Sequence, residues 1–316
     1  MNILIFGLGA LGTVYACLLK EKGHRVTGLS RKPVQEAVME KGARVTGIWG
    51  EHHAMLDETV TGVDKINGSN PDLVIVTVKS YDTEKAAAEI ARVLSPDTYV
   101  VLAQNGYGNF EAAAKHINEN QLILGRVIFG AETTGPGASK VTVIADDVIL
   151  GSPKNLIARY KMEKLASVFR EAGIPTRFSK KVMKYIWGKI MYNSALNSMG
   201  AILEVNYGKL AEVEHSRMLM ESVIREIFAL LDKIGQETLW PDPEAYIKDF
   251  YEKLIPATAS HHPSMLQDIQ RGRRTEIDAL NGAVVEMGKK HGVNTPVNDI
   301  IVSLVKSKEK MGLAIK

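Results

Sequence analysis

One cysteine, Cys17, is all that 316 residues contain, which excludes a disulfide within the chain and suits a reducing compartment. Set in a helix-like stretch, it reads as a small apolar packing residue rather than a nucleophile. Long apolar runs are missing too. The apolar opening is too short for a signal peptide and has no basic leader, so cytoplasm is the expected compartment and no membrane span is indicated. Nor is there an excess of either charge: 39 Lys and Arg against 36 Asp and Glu leave a formal +3, dispersed along the chain, which argues against a nucleic-acid footprint. No His-x-x-x-His pair or Cys/His cluster occurs, and the adjacent His261 and His262 cannot share one ligand face, so no metal is expected. Repeats and low-complexity segments are also absent. With 45% hydrophobic and 24% charged residues, the chain reads as globular, with core enough for one large domain or two ordinary ones.

What is present begins at once. The apolar run Ile3-Leu4-Ile5-Phe6 feeds into Gly7-Leu8-Gly9-Ala10-Leu11-Gly12, and a helix-like stretch follows. A strand, a tight glycine turn and a helix N-terminus make a pyrophosphate site. Gly7 permits the turn, Gly9 lets backbone approach the ligand, and Gly12 allows helix to pack closely on strand. The backbone of residues 7–12, with the positive end of the helix behind it, would face the phosphates. Nucleotide preference is read at the end of the second strand, Arg25 to Leu29, where Ser30-Arg31-Lys32 follows. NAD sites usually place an acid there for the ribose 2′-hydroxyl, whereas a cation accommodates a 2′-phosphate. Arg31, assisted by Ser30 and Lys32, therefore predicts NADPH/NADP+ as cofactor, against the plainer reading of a solvated Arg-Lys pair.

Strand and helix patterns continue to alternate. Asp72–Val78 is a continuous apolar run ending at Lys79, as expected of a parallel strand covered on both faces, and Tyr99–Leu102 ends in Gln104-Asn105-Gly106. Lys79 and Asn105 thus stand at carboxyl ends of strands, where open α/β sheets bind ligands. Val141–Ile144 and Val148–Leu150 are expected to pair as a hairpin around Asp146-Asp147. After about Lys180 only helical periodicity remains, broken at Tyr207-Gly208, Trp240-Pro241, His262-Pro263, Gly292 and Pro296. The expected fold is an α/β Rossmann-type N-terminal domain, residues 1–180, followed by an all-α C-terminal domain, residues 181–316, for substrate and catalysis.

Two constellations stand out in the helical half. Lys189, Asn193 and Asn197 recur at helical spacing on one face. Periodicity alone reads this as a solvated face, but Asn is a poor interior helix former, and two in register with a lysine suggest directed hydrogen bonds. In Pro263-Ser264-Met265-Leu266-Gln267-Asp268, Ser264 and Gln267 fit a capping box. Glu276 is expected three helical turns further on, beside Arg273 and Arg274.

Taken together, the glycine turn, Val78-Lys79, Gln104-Asn105-Gly106, Lys189 with Asn193 and Asn197, and Ser264–Asp268 followed by Thr275-Glu276-Ile277-Asp278 resemble the 2-dehydropantoate 2-reductase (ketopantoate reductase) family over nearly the whole chain. Past Asn197 the chain departs from the family's further polar contacts: Ser198–Tyr207 is largely apolar, and whether Asn206 corresponds to one of them is left open by the sequence. The resemblance implies an NADPH-dependent oxidoreductase that reduces ketopantoate to pantoate on the route to pantothenate and coenzyme A. It implies Lys189 as general acid and Glu276 as its catalytic partner. Substrate would be bound by Asn193, Asn197 and Ser264, and the cofactor by residues 7–12, Arg31, Lys79 and Asn105. The expected partner is a small 2-oxoacid, with neither nucleic acid nor membrane, and a homodimer is the candidate assembly. Two alternatives stay open: an NADPH-dependent reductase of another 2-oxoacid on the same fold, and a non-catalytic NADP-sensing protein.

Overall fold

The structure, a computed structural model, describes residues 1–68 and 70–314. It falls into two compact units. The first comprises Met1–Gln104 and Asn109–Val182; the second comprises Asn105–Gly108 and the chain from Met183 onward.

The first unit contains β1 (Asn2–Phe6), α1 (Ala10–Glu21), β2 (Arg25–Leu29), α2 (Lys32–Lys41), β3 (Ala43–Gly47), β4 (His52–Ala54), β5 (Glu58–Val60) and β6 (Leu73–Val76). It continues through α3 (Thr83–Ile90), β7 (Tyr99–Leu102), α4 (Asn109–Ala114), β8 (Leu122–Arg126), β9 (Phe129–Gly135), β10 (Ala138–Ile144), β11 (Val148–Gly151), α5 (Arg159–Glu171) and β12 (Thr176–Phe178). Eight strands form one sheet in the order β12-β11-β8-β7-β6-β1-β2-β5, with only the β11–β8 pairing antiparallel. The chain reverses its direction of winding at β1, which has β2 on one side and β6 on the other, so a switch point lies at β1/β6. β6 is apolar throughout because both faces are covered: Leu73–Val76 is buried at every position.

A second sheet, in the order β4-β3-β10-β9, packs on α1. That explains why α1 is buried almost all round from Gly12 to Leu19. Tyr15 meets Phe129 of β9 and Phe169 of α5 edge-on, and Cys17 Sγ donates to the Ala43 carbonyl at 3.3 Å. Burial pushes the Cys17 thiol up to about 12, as suits an inert packing residue.

The expected hairpin around Asp146-Asp147 does not form. β10 pairs instead with β9 through the turn Gly135-Pro136-Gly137, where Gly137 supplies the left-handed φ of +67°. Asp146 and Asp147 lie where the chain leaves one sheet for the other, β11 joining β8 and β12. The crossing is fastened by Arg126 Nη2 donating to Asp146 at 2.7 Å.

The second unit is built on α6 (Val182–Leu203), followed by α7 (Tyr207–Glu212), α8 (Glu214–Lys233), α9 (Pro243–Asp249), α10 (Ser264–Gln270), α11 (Asn281–His291) and α12 (Pro296–Ala314). From Asn193 to Ala201 every α6 residue is buried, whatever its side chain. Ser194 Oγ is buried there without a hydrogen-bond partner among the described residues, whereas Ser198 opens a chain of internal bonds. Ser198 Oγ donates to Asn281 Oδ1 at 2.6 Å, Asn281 Nδ2 to Asn298 Oδ1 at 2.9 Å, and Asn298 Nδ2 to Glu226 at 2.7 Å, linking α6, α11, α12 and α8. The Glu226 carboxylate also accepts the Val297 and Asn298 N–H groups at the start of α12, at 2.8 and 3.0 Å. Among the described residues, no helix is long and apolar enough to cross a membrane.

Candidate active site

In the first unit the glycines meet three separate demands. Gly7 has φ +110°, and a Cβ there would stand 2.9 Å from Val78 Cγ1. A Cβ on Gly12 would lie 1.9 Å from the Gly7 carbonyl oxygen, so only glycine lets α1 sit this close to the turn. Beside Gly9, by contrast, nothing lies within 4 Å of where a Cβ would be: the backbone is open on that side. Thr77 Oγ1 donates to the Gly7 carbonyl at 2.5 Å and fixes the turn across the switch point. No side chain caps α1 at Gly9, so the first-turn N–H groups, those of Ala10, Leu11 and Gly12 among them, have no helix carbonyl to bond. Leu8 contributes only backbone here, since its buried side chain packs over Gly28.

The other residues expected at the cofactor also follow strands of this sheet. Arg31 is exposed, in extended conformation, at the N-cap of α2, with Lys32 exposed beside it and Ser30 tied to Val60 by its N–H at 3.0 Å. An acid that the sequence does not place near this strand is brought to it by β5: Glu58 lies opposite Thr27. It is engaged there, accepting from Asn67 Nδ2 at 2.8 Å and from Thr27 Oγ1 at 3.4 Å. Lys79 follows β6, half-buried, at the start of the short 3-10 turn Ser80–Asp82. Asn105 follows β7, but the loop Asn105–Gly108 belongs to the second unit, where Tyr107 N–H donates to the Ala279 carbonyl at 2.8 Å. Gly106 has φ +86°, and a Cβ there would be 2.4 Å from that same oxygen, so the loop lies flat on the 277–279 turn only with glycine.

In the second unit Lys189, Asn193 and Asn197 lie along one face of α6. It is not a solvated face: Asn193 is 7% exposed, Asn197 5%, and Lys189 half-buried. A buried amide in the middle of a helix calls for hydrogen-bond partners, and of the two only Asn197 has them among the described residues. Its Nδ2 donates to Ser264 Oγ at 3.1 Å and its Oδ1 accepts the Met265 N–H at 3.0 Å, so it caps α10 from another helix. The capping box expected at Ser264 is absent for that reason. Pro263 is the N-cap, Ser264 is the first helical residue, and Ser264 makes no bond to its own helix.

Glu276 is not in a helix continuing from Ser264. α10 stops at Gln270, and Gly272, in the left-handed region at φ +61°, turns the chain. Glu276, 8% exposed, then precedes the short turn Ile277–Ala279 and accepts from Asn105 Nδ2 at 3.4 Å. Asn206 is the N-cap of α7, its Oδ1 accepting the Lys209 N–H at 3.0 Å. Sequence reasoning also passed over Glu309, which accepts the Thr275 N–H at 2.6 Å, and Lys308, which donates to the last α6 carbonyls of Ala201 and Ile202 at 3.0 Å each. Neither has a local signal, since both lie in an ordinary charged stretch of α12. No cluster among the described residues could hold a metal ion.

Comparison with known proteins places this geometry in context. Residues 3–155 match the family described as "Ketopantoate reductase PanE/ApbA", and residues 181–309 match its C-terminal domain family. The 2-dehydropantoate 2-reductase of Aquifex aeolicus is 47% identical over 99% of this chain and 98% of its own. That of Pyrococcus abyssi is 31% identical over 98% and 99%. Among solved structures, D-mandelate dehydrogenase with NADH and anilino(oxo)acetate superposes with a TM-score of 0.88 at 27% identity, covering 99% of both chains. A PanE/ApbA family ketopantoate reductase from Ralstonia eutropha gives 0.87 at 27% identity over 99% of both.

Proposed function

The chain belongs to the ketopantoate reductase family, and from that premise we propose that it reduces 2-dehydropantoate to pantoate with NADPH, in the cytoplasm, on the route to pantothenate and coenzyme A. The observation that carries the reading is the buried Asn193 and Asn197 amides in register with Lys189. Asn197 is already engaged by α10, but the Asn193 amide beside it is costly to bury unless it binds something polar.

The residues of the first unit fit a dinucleotide. Residues 7–12 offer an open backbone at Gly9 and N–H groups at the start of α1 for a pyrophosphate, and Arg31, exposed at the N-cap of α2, offers a guanidinium for a 2′-phosphate. Lys79 and Asn105 add polar groups beyond neighbouring parallel strands. When bound, a reduced nicotinamide supplies a hydride for the 2-oxo carbon.

Everything else falls to the second unit. Reduction turns the oxo oxygen into an alkoxide, which needs a proton and a positive charge beside it, and the Lys189 ammonium supplies both. Glu276 orients that lysine or the substrate from a nearly buried position. Asn193 takes a substrate hydroxyl. Asn197, which spends one N–H and one lone pair on α10, keeps a second donor for the same purpose. Ser264 Oγ, already accepting from Asn197, still has its own proton to donate to a carboxylate.

A second reading has one observation in its favour: the likeness to D-mandelate dehydrogenase, a protein solved with NADH and an oxoacid. It makes the substrate a different 2-oxoacid. A panel of 2-oxoacids assayed by NADPH and NADH absorbance tests both readings. Ketopantoate with NADPH should give the highest kcat/KM. A better aryl oxoacid or a preference for NADH moves the assignment to the second reading, and no turnover at all leaves only a nucleotide-sensing protein.

A further inference from the structure

Glu276 stands in a segment with little regular structure of its own, between the end of α10 and the turn Ile277–Ala279. Three of the hydrogen bonds that fix this backbone involve Thr275 or Glu276. Two are local: Thr275 Oγ1 accepts the Ile277 N–H at 3.2 Å, and the Glu276 carbonyl accepts the Ala279 N–H at 3.0 Å. The third comes from 34 residues away, where Glu309 Oε1 accepts the Thr275 N–H at 2.6 Å. Thr275 is 1% exposed, so this N–H has no water to turn to if the carboxylate is removed.

The same stretch of α12 makes two more attachments. Lys306 Nζ reaches Asp278 Oδ1 at 2.5 Å, two residues past Glu276. Lys308 Nζ holds the Ala201 and Ile202 carbonyls at the end of the helix that carries Lys189. One turn of α12 therefore ties down both the Glu276 segment and α6.

The geometry points to Glu309 as a positioning residue for Glu276. Its carboxylate anchors the Thr275 N–H through a charge-assisted bond and so sets where the next residue's carboxylate stands, without touching substrate. This rests on the catalytic role proposed for Glu276. A displacement of about 1 Å at a reacting group can cost on the order of a hundredfold in rate, so the loss of one such anchor is visible in kcat.

The test compares Glu309→Ala, Glu309→Met and Glu309→Gln, each alone and combined with Glu276→Gln, by kcat, KM, calorimetric pantoate binding, NADPH binding and thermal midpoint. The Met variant keeps the apolar stem should the Ala variant fail to fold. Loss of the acceptor should lower kcat about 10- to 100-fold, weaken pantoate binding and leave NADPH binding unchanged. Gln should restore most of kcat, because its amide oxygen still accepts the N–H. In the Glu276→Gln background the acceptor's loss should cost nothing further, whereas a purely structural defect would multiply. Wild-type kcat in the Ala and Met variants while Glu276→Gln is impaired overturns the assignment of Glu309 alone, and so do losses that multiply. Wild-type kcat in Glu276→Gln itself overturns the role of Glu276 and the positioning role with it.

Discussion

The two units assemble their candidate sites in opposite ways. In the first, Gly7, Arg31 and Lys79 each stand within three residues of the end of a strand, and the strands are neighbours in one sheet. In the second, the groups that touch are far apart in the chain: Asn197 and Ser264 by 67 residues, Asn105 and Glu276 by 171. A nucleotide site built from strand ends repeats one local geometry, so a substitution there should act on one ligand. A candidate site assembled from distant helices would share its hydrogen bonds between catalysis and folding, so substitutions there should reach both.

The largest expected effect tests that contrast at its functional end. Lys189→Ala should lower kcat by about two to four orders of magnitude, the usual worth of a positioned acid, with NADPH affinity retained. Stopped-flow turnover at saturating substrate, with fluorescence titration of NADPH, checks it. A near-normal kcat would remove Lys189 from the chemistry and leave the α6 stripe as a buried polar network only.

Arg31→Ala probes the first unit in the same terms. It should weaken NADPH binding by about 1.5–3 kcal/mol, the range for a hydrogen bond to a charged group, and leave NADH binding nearly unchanged. Arg31 is exposed at an N-cap where its side chain makes no capping bond, so thermal stability should not move. Equal losses for both nucleotides would break the assignment of Arg31 to the 2′-phosphate.

The same contrast decides what could be read from the sequence. The glycine turn was legible because its strand, its glycines and its helix are consecutive, and each glycine answers a demand within a few residues, as Gly12 does against the Gly7 oxygen. The helical half was legible only as a register, Lys189-Asn193-Asn197, because the partner that buries Asn197 lies on α10. The capping box at Ser264 failed on this point: the motif is local, but the acceptor that serves the α10 N-terminus is on another helix. The Asp146-Asp147 hairpin failed in a related way. Two apolar runs around two acids look alike whether they pair with each other or with different sheets, and the choice was made by the Gly-Pro-Gly turn upstream and by Arg126. The second sheet went unread because β3 and β4 are short and take their partners from about 90 residues away and from each other.

A pair of substitutions at one contact sharpens the comparison at the level of stability. Asn197→Ala removes the acceptor of the Met265 N–H, a buried donor, and should cost about 1–3 kcal/mol of folding stability as well as raising KM. Ser264→Ala keeps that cap intact and should raise KM with little change in thermal midpoint. Chemical denaturation of both variants, alongside steady-state kinetics, separates them. If Ser264→Ala proves the more destabilising of the two, the cap belongs to Ser264 after all.

The smallest effect sets one carboxylate of each unit side by side. Asp57 accepts from Lys20 Nζ at 2.7 Å and from the Val26 N–H at 2.8 Å; Asp278 accepts from Lys306 Nζ at 2.5 Å and from Arg274 Nη2 at 2.9 Å. Burial alone would raise both, but these hydrogen bonds and charges outweigh it and hold each carboxyl below its ordinary range. A carboxyl depressed in the folded state adds stability that is fully present above its unfolded value of about 3.9 and is lost as pH falls through the folded value. Asp57→Asn and Asp278→Asn should therefore each lower the thermal midpoint at pH 7, and the deficit should close as the pH is taken from about 4 down to about 2. With side chains 31% and 41% exposed, solvent screens both pairs, and each should be worth about 1 kcal/mol or less. Scanning calorimetry across that range reads the result. A deficit that persists unchanged at the lowest pH would mean that these side chains act through packing and hydrogen-bond geometry that Asn cannot copy, not through their charge.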